Sequence, residues 1–386
     1  SDPLNFADTD WRKLVLNDWA PQQKHTVRVT GGNESNRYYL SLGHIDQNSL
    51  YKNDNHWMKR TNFRVAQSAN IEAIGLQINT AIDGYRQHQT HPYTSTADRY
   101  YGVFSHINNK YPNIPGVNKY GLPYNITDNP VAETAKDAGY NRTISNVING
   151  KGELIWTVPW LKELKVRAAS NYRYYSNSTK KWRKDAAQYD WDSQEPLYAN
   201  KPLLRYENSN GYAFTNQAFL EYAKEFGKHH VSALAGFEQY YEKNEGYYLQ
   251  RDNYLFDIDQ IGIGDANSQL NGGILEEKDA YENKTYPAET EMGRAAWIGQ
   301  VKYNYDNKYY VEASMRRDGS DRFAPGKRWG TFFSGSLGWV VTAEEFMQGL
   351  VEKNILNSLK LRASYGETGQ DESAGRYSYM TTYNYS

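Results

Sequence analysis

Period-two alternation of apolar and polar side chains constrains this chain more than any other feature. Between Leu164 and Tyr174 one side reads Leu164, Val166, Ala168, Ser170, Tyr172, Tyr174, and the other reads Lys165, Arg167, Ala169, Asn171, Arg173. Successive side chains of a strand point to opposite faces, so this is a strand with one greasy and one charged face. Tyr309, Val311, Ala313 and Met315 alternate in the same way with Tyr310, Glu312, Ser314 and Arg316, and Leu359, Leu361, Ala363 and Tyr365 with Lys360, Arg362 and Ser364. The pattern predicts further strands near 23–31, 37–46, 57–68, 72–82, 144–158, 211–222, 230–241, 294–305, 331–341 and 376–385. Many reach the roughly 9–11 residues that cross a bilayer when tilted.

Composition decides which two-faced sheets remain open. Only 39% of the 386 residues are hydrophobic, and the aromatic residues are mostly Tyr, 35 against 12 Phe and 10 Trp. A large dry aliphatic core is therefore not expected. A mean hydropathy of −0.86 and the lack of any long apolar run exclude a helical membrane protein, but not a membrane barrel, whose alternating strands average to a polar score. The formal net charge is −1, which implies no polyanionic partner and no nucleic acid. With no Cys, disulfides, thiolate metal sites and cysteine nucleophiles are excluded. Residues 1–30 show no succession of basic, apolar and small residues of the kind that marks an export signal.

Connection lengths alternate. Short turns are expected after 31, 68, 158, 222 and 305, whereas 83–143, 177–210 and 242–293 read as long and polar. Outer-membrane barrels have this asymmetry, with short periplasmic turns and long external loops, and a soluble sandwich rarely carries several loops of that size. Tyr and Trp gather where strands end, at Tyr38-Tyr39, Trp156, Trp160, Tyr174-Tyr175, Trp297, Tyr305, Tyr309-Tyr310 and Trp339. Amphipathic rings suit a headgroup layer, although Tyr also favours strands in any β-protein. The expectation is an all-β, antiparallel transmembrane β-barrel, about 12–13 strands of a larger barrel of about 22. A complete barrel of about 12 or 14 strands stays open on this arithmetic.

Enzyme constellations are missing: no GxSxG elbow, phosphate loop, HExxH or GxGxxG after a strand. His88 and His91 read as loop residues and His229-His230 as a turn, neither with a clear third metal ligand. Asp257 to Asp265 resembles part of a calcium loop but lacks the closing Glu. No catalytic residue, metal or cofactor is assigned. Loop 177–210 carries Trp182, Tyr189, Trp191 and Tyr198 among carboxylates and amides, and loop 83–143 carries Tyr100 and Tyr101. Flat rings beside polar groups suit a glycan, whose C–H faces stack and whose hydroxyls need hydrogen-bond partners. They equally suit small aromatic cores inside long loops, or a docking partner. The basic run Lys180-Lys181-Trp182-Arg183-Lys184 reads as a contact for a partner or for lipopolysaccharide phosphates.

Longer motifs carry a resemblance. Ser314–Met347 reads SMRRDGSDRFAPGKRWGTFFSGSLGWVVTAEEFM, followed by LKLRASYGETGQ at Leu359–Gln370. With DTDWRKLVL at Asp8–Leu16 and VTGGNESNRYYLSLGHIDQ at Val29–Gln47, this resembles the SusC/RagA family of TonB-linked outer-membrane transporters. Phe333 and Gly335 stand where the family often has Pro and Val. The resemblance implies an internal part of a longer chain, residues 1–386 being barrel, with the signal peptide, periplasmic domain, TonB box, plug and C-terminal strands outside it. It also implies import of oligosaccharides or peptides with a SusD-like surface lipoprotein and the TonB complex, in the outer membrane of a Gram-negative bacterium. Arg167, Arg173, Glu312, Arg316 and Arg362 would then line the lumen. A passive porin and a soluble β-rich carbohydrate-active enzyme are the alternatives, the latter requiring a pair of acids about 5–10 Å apart.

Overall fold

The computed structural model describes residues 4, 6–93, 102–184, 187–197, 202–274, 277–278, 285–286, 289–375 and 378–380. Alternation dictates strands, and strands are what form: β1 (Gln22–Gly32), β2 (Asn36–Gln47), β3 (Trp57–Ile71), β4 (Leu76–His91), β5 (Gly139–Thr157), β6 (Leu164–Arg183), β7 (Leu203–Phe226), β8 (His229–Arg251), β9 (Gln269–Ile274), β10 (Glu277–Lys278), β11 (Thr285–Tyr286), β12 (Thr290–Tyr305), β13 (Tyr309–Ser320), β14 (Trp329–Val340) and β15 (Lys360–Gly366). β1 to β8 and then β12 to β15 pair in sequence order in one antiparallel sheet, with β9 added beside the outer stretch of β8. Among the described residues, four short helices lie in the connections: α1 (Trp11–Val15), α2 (Gly102–Asn109), α3 (Pro130–Glu133) and α4 (Gln348–Glu352). No helix among the described residues is long and apolar enough to cross a membrane.

Register turns the two faces of each strand into two continuous surfaces. One cross-strand row runs Val29, Leu40, Val65, Ile82, Gly150, Tyr172, Phe214, Tyr241. The row beside it, one residue along and on the opposite face, runs Arg28, Ser41, Arg64, Asp83, Asn149, Arg173, Ala213, Glu242. A slip of one residue in any pair would exchange the faces, so the pattern fixes the register. Among the described residues nothing covers the apolar surface: Val27 is 68% exposed and Leu337 60%. It is bounded by rings at both ends. Trp297 and Tyr305 share the apolar face of β12, about 26 Å apart along the strand, which becomes about 20 Å along a barrel axis after tilting. Trp156 and Trp160 meet edge-on at 5.8 Å at the short-turn end, and Tyr305 stacks on Tyr309 at 6.4 Å.

Hairpin chemistry matches these turns. Gly227, at φ +60°, opens the two-residue turn between Phe226 and His229, the position where a II′ turn needs glycine. Asp306 and Asn307, both left-handed at φ +52° and +54°, join β12 to β13. The neighbouring turns are clamped by Lys228 on Asp306 at 2.8 Å, a hydrogen bond that holds the Asp306 carboxyl below its ordinary range.

The strands run further outward than the alternation suggests. β7 has 24 residues and β8 has 23, so the long connections shrink to 92–138, 184–202 and 252–289. The greasy-polar contrast stops at the expected limits, but backbone pairing continues with polar side chains on both faces, as at Lys180 and Lys181. Residues 72–74 form a 3-10 turn ending on Gly75 at φ +68°, so the expected strand at 72 starts at Leu76. His88 and His91 lie in β4 and His229 and His230 open β8, not in loops or turns. Of the strand expected near 376–385, only 378–380 are described, and they form a turn.

We predict that Val301→Arg, at mid-depth of the apolar face and paired with Ala313, destabilises the full-length protein in lipid by about 2–4 kcal/mol. Denaturant unfolding in vesicles checks this, with Val301→Leu near neutral; a loss below about 1 kcal/mol contradicts lipid exposure of this face.

Candidate functional site

The polar face is where chemistry can occur, because its charged groups open onto a cavity. Arg64 pairs with Asp83 at 2.9 Å, and Asn149 donates to the other Asp83 oxygen at 2.9 Å. Arg173, next in the row, makes no ion pair among the described residues and lines a cavity of about 610 Å³ with Tyr175, Tyr240 and Glu242. Arg167 lies 3.4 Å from Glu221 and 3.9 Å from Glu153, with its guanidinium over the Phe219 ring. Glu312 accepts from Gln300 at 2.6 Å, and Arg362 pairs across from Gly338. The five charged residues expected to share one face do share it, opposite the apolar belt.

A second cavity, of about 730 Å³, lies further out along the same face. Arg294 grips Asp371 through Nε at 2.9 Å and Nη2 at 2.5 Å, and Ser320 donates to the same carboxylate at 2.7 Å. Arg316 pairs with Asp318 at 2.6 Å and Glu238 at 3.2 Å, and Arg322 donates to the Glu372 and Ala374 carbonyls. The DGSDRF stretch and the segment after GETGQ are thus held together by charge-assisted hydrogen bonds, the strong kind. Asp371 drew no attention in sequence, since its partner Arg294 is 77 residues away.

The outer loops build their own cores. Trp11, Val15, Tyr51, Val103 and Ile107 form one, so the DTDW segment, capped by Asp10 accepting from the Lys13 amide at 3.0 Å, packs under α2. Trp11 Nε1 donates to the Tyr111 carbonyl at 3.0 Å. Asn129, fully buried, donates to the Gly116 and Tyr124 carbonyls and accepts from the Val131 amide. Asn118 reaches across to the Asp190 and Ser193 carbonyls at 3.0 and 2.8 Å. Neither asparagine stood out in sequence; only the Asn-Pro step before α3 signals a cap.

The aromatic candidates separate. Trp182 is buried, edge-on to Tyr254 at 4.9 Å and packed with Leu204, so both its faces serve the loop core. Trp191 is half-buried and meets Tyr124 edge-on at 6.0 Å, while the Tyr189 backbone bridges Tyr124 and Pro196. Tyr100, Tyr101 and Tyr198 lie outside the described residues. The basic run is paired: Lys180 with Asp259 at 2.7 Å, Lys181 with Glu207 at 2.7 Å, and Lys184 with Asp257. Asp257 and Asp259, read as part of a calcium-like loop, are therefore bonded to lysines. His106, Asp128 and Glu133 bring three possible metal-ligand atoms within 4.8 Å of one another. His106 Nδ1 is already 2.8 Å from Glu133, tying α2 to α3.

With this geometry in view, similarity to known proteins can be read. No family model matches the chain. It is 24% identical to the TonB-dependent receptor SusC of Bacteroides thetaiotaomicron over 98% of its own length and 37% of that protein's. It is 26% identical to the TonB-dependent receptor P39 of Formosa agariphila, over 93% and 31%. In structure it matches the RagAB peptide importer in a closed-closed state with a TM-score of 0.72 and 20% identity, covering 96% of this chain and 39% of the other. The chain has the barrel fold of a SusC/RagA-like TonB-dependent transporter. It spans about a third of the length of these curated relatives.

Two outcomes test the outer loops. Asn129→Ala strands carbonyls and an amide at about 1–3 kcal/mol each, so hydrogen exchange across 111–134 accelerates while the heat-modifiable gel mobility of the barrel is kept; unchanged exchange contradicts the assignment. The rings of His56 and His91 lie 5.0 Å apart, tilted by 37°, above the belt, and burial holds both imidazoles below the ordinary 6.5, His56 adding to the effect on His91. A base with a depressed folded pKa is neutral when native, so protonation costs stability as pH falls below the unfolded value. Exchange in 48–56, corrected for intrinsic rate, rises between pH 7 and pH 5; a flat profile contradicts this.

Proposed function

We propose that this chain is the inner-and-outer wall of a TonB-dependent outer-membrane importer, taking up oligosaccharides or peptides together with a SusD-like surface lipoprotein. The observation that carries the reading is the paired rows: a lipid-compatible belt on one face and, one residue along every strand, a row of charges opening onto cavities. In this reading 1–386 is part of a larger barrel of about 22 strands, and the remainder of the protein supplies plug and TonB contact. The mean identity of about 25% over a third of the relatives' length supports that placement.

Mechanistically, the sheet contributes a wall whose backbone N–H and C=O groups are paired strand to strand from β1 to β15, and in this reading the two outer edges pair with the rest of the barrel, leaving none to face lipid. Arg167, Arg173, Glu312, Arg316 and Arg362 wet the interior. Arg173, with no ionic partner in its row, is suited to hold a carboxylate of the plug. The outer extensions of β5–β8 and the packed loops form a rim; Tyr189 and Trp191 on it, together with Tyr100, Tyr101 and Tyr198 of the same loops in sequence, are the residues proposed to touch substrate or lipoprotein. Trp182 serves that rim from within. No covalent step is required of any residue, and no cofactor enters the scheme.

The test uses the full-length protein in its own host. Deletion abolishes growth on one class of oligosaccharide or oligopeptide, and uptake stops on collapse of the proton gradient. Uptake indifferent to the gradient, with steady conductance of the purified protein in planar bilayers, overturns the reading in favour of a porin. Arg173→Glu reverses the interior charge and is expected to raise sensitivity to a large antibiotic such as vancomycin several-fold without lowering the amount of protein in the membrane. Unchanged sensitivity removes Arg173 from plug retention.

A further inference from the structure

At the short-turn end, one connection is not short. Val341 to Leu359, between β14 and β15, holds 3-10 turns at Val341–Ala343 and Glu345–Met347 and the helix α4. Its position is set by side chains of the apolar face. Glu344 accepts from Trp339 Nε1 at 3.0 Å and from the Tyr309 hydroxyl, and the Phe346 ring lies 6.5 Å from the Trp339 ring. Tyr309 shares its face with Val311 and Met315, and Trp339 shares its face with Leu337, opposite Leu361. The chain leaving β14 therefore folds outward over the rim of the belt, not across the barrel opening.

The connection carries more apolar surface than it can cover. Met347, Val351 and Leu356 are half-buried and form its underside, whereas Phe346, Leu350 and Ile355 stay exposed at 69%, 39% and 66%. These three extend the belt beyond the strand ends, past the Trp and Tyr rim. Lys353 and Asn354 stand beside them in the chain, exposed to water. Rings and aliphatic chains next to a lysine are the pattern of an element lying in a membrane interface, apolar side down and the cation at the phosphates.

We propose that residues 341–359 are an interfacial anchor, with Phe346, Leu350 and Ile355 entering the headgroup and upper acyl layer of the leaflet at the short-turn end. The occupant of this surface is lipid, because the surface is continuous with the belt and is reached through belt side chains. The anchor rests on the membrane-spanning reading of the sheet. It would fix the vertical position of the barrel at the seam between β14 and β15, where both strands are shorter than β5–β8.

The absence of Cys in this chain permits single-site spin labelling of the full-length protein, with any cysteine elsewhere replaced, in vesicles of phosphatidylethanolamine and phosphatidylglycerol. Labels at Phe346→Cys, Leu350→Cys and Ile355→Cys are compared with Asn354→Cys and Val301→Cys. The anchor predicts an oxygen-to-nickel chelate collision ratio at 346, 350 and 355 several-fold above that at 354 and below that at 301. Ratios equal to that at 354, or low collision with both reagents as in a protein interior, overturn it. A water-like ratio at 301 as well would instead sink the membrane-spanning reading itself.

Discussion

Lipid offers no hydrogen-bond partners, and that one constraint organises the molecule. Each backbone N–H and C=O at membrane depth must be satisfied within the sheet, which leaves long antiparallel ladders as the only economical structure for a chain without apolar helices. Once the ladder is fixed, side chains alternate by geometry. A residue row facing acyl chains must then be neighboured by a row facing inward, and the sequence can tune the two independently. Val29 to Tyr241 and Arg28 to Glu242 are these two rows, strand by strand. The polar average of the composition is therefore no argument against membrane residence.

Outside the bilayer the same strands continue under different rules. Water satisfies any group the ladder leaves free, so both faces of β6 to β8 become polar, and stability has to come from local cores. Two such cores are built around Trp11 and Trp182. Buried asparagines do the joining: Asn118 and Asn129 each satisfy several backbone groups that a loop would otherwise strand away from water.

How much of this was legible in the sequence follows from the range of each interaction. Strand identity and facing are local, a matter of residues i and i+2, and Leu164–Tyr174 declared both. The outer limits were not legible, because Lys180 and Lys181 lack the greasy contrast that marks a strand although Arg142 and Asn141 pair with them. Arg167, Arg173, Glu312, Arg316 and Arg362 could be placed on one face by parity alone. Their partners could not. Arg316 meets Glu238 across 78 residues, and elsewhere Asp371 meets Arg294 across 77, through tertiary folding that no spacing encodes. The loop rings show the limit most clearly: composition put Trp182 and Trp191 in one class, yet Leu204 and Tyr254 close around the first and leave the second at the surface. The outward fold of 341–359 was likewise hidden, since only the Trp339 and Tyr309 contacts with Glu344 reveal its side.

The central claim is that the apolar face carrying Val29, Leu40, Val65 and Ile82, and on later strands Val301 and Leu337, faces acyl chains. Imaging the full-length protein in a lipid nanodisc by electron cryomicroscopy tests it most directly. The account predicts a disc of lipid density girdling those side chains between the rings of Trp297 and Tyr305, with Arg64, Asp83 and Arg173 inside the wall. Finding those apolar side chains packed against a second protein layer, with lipid density elsewhere, would contradict it.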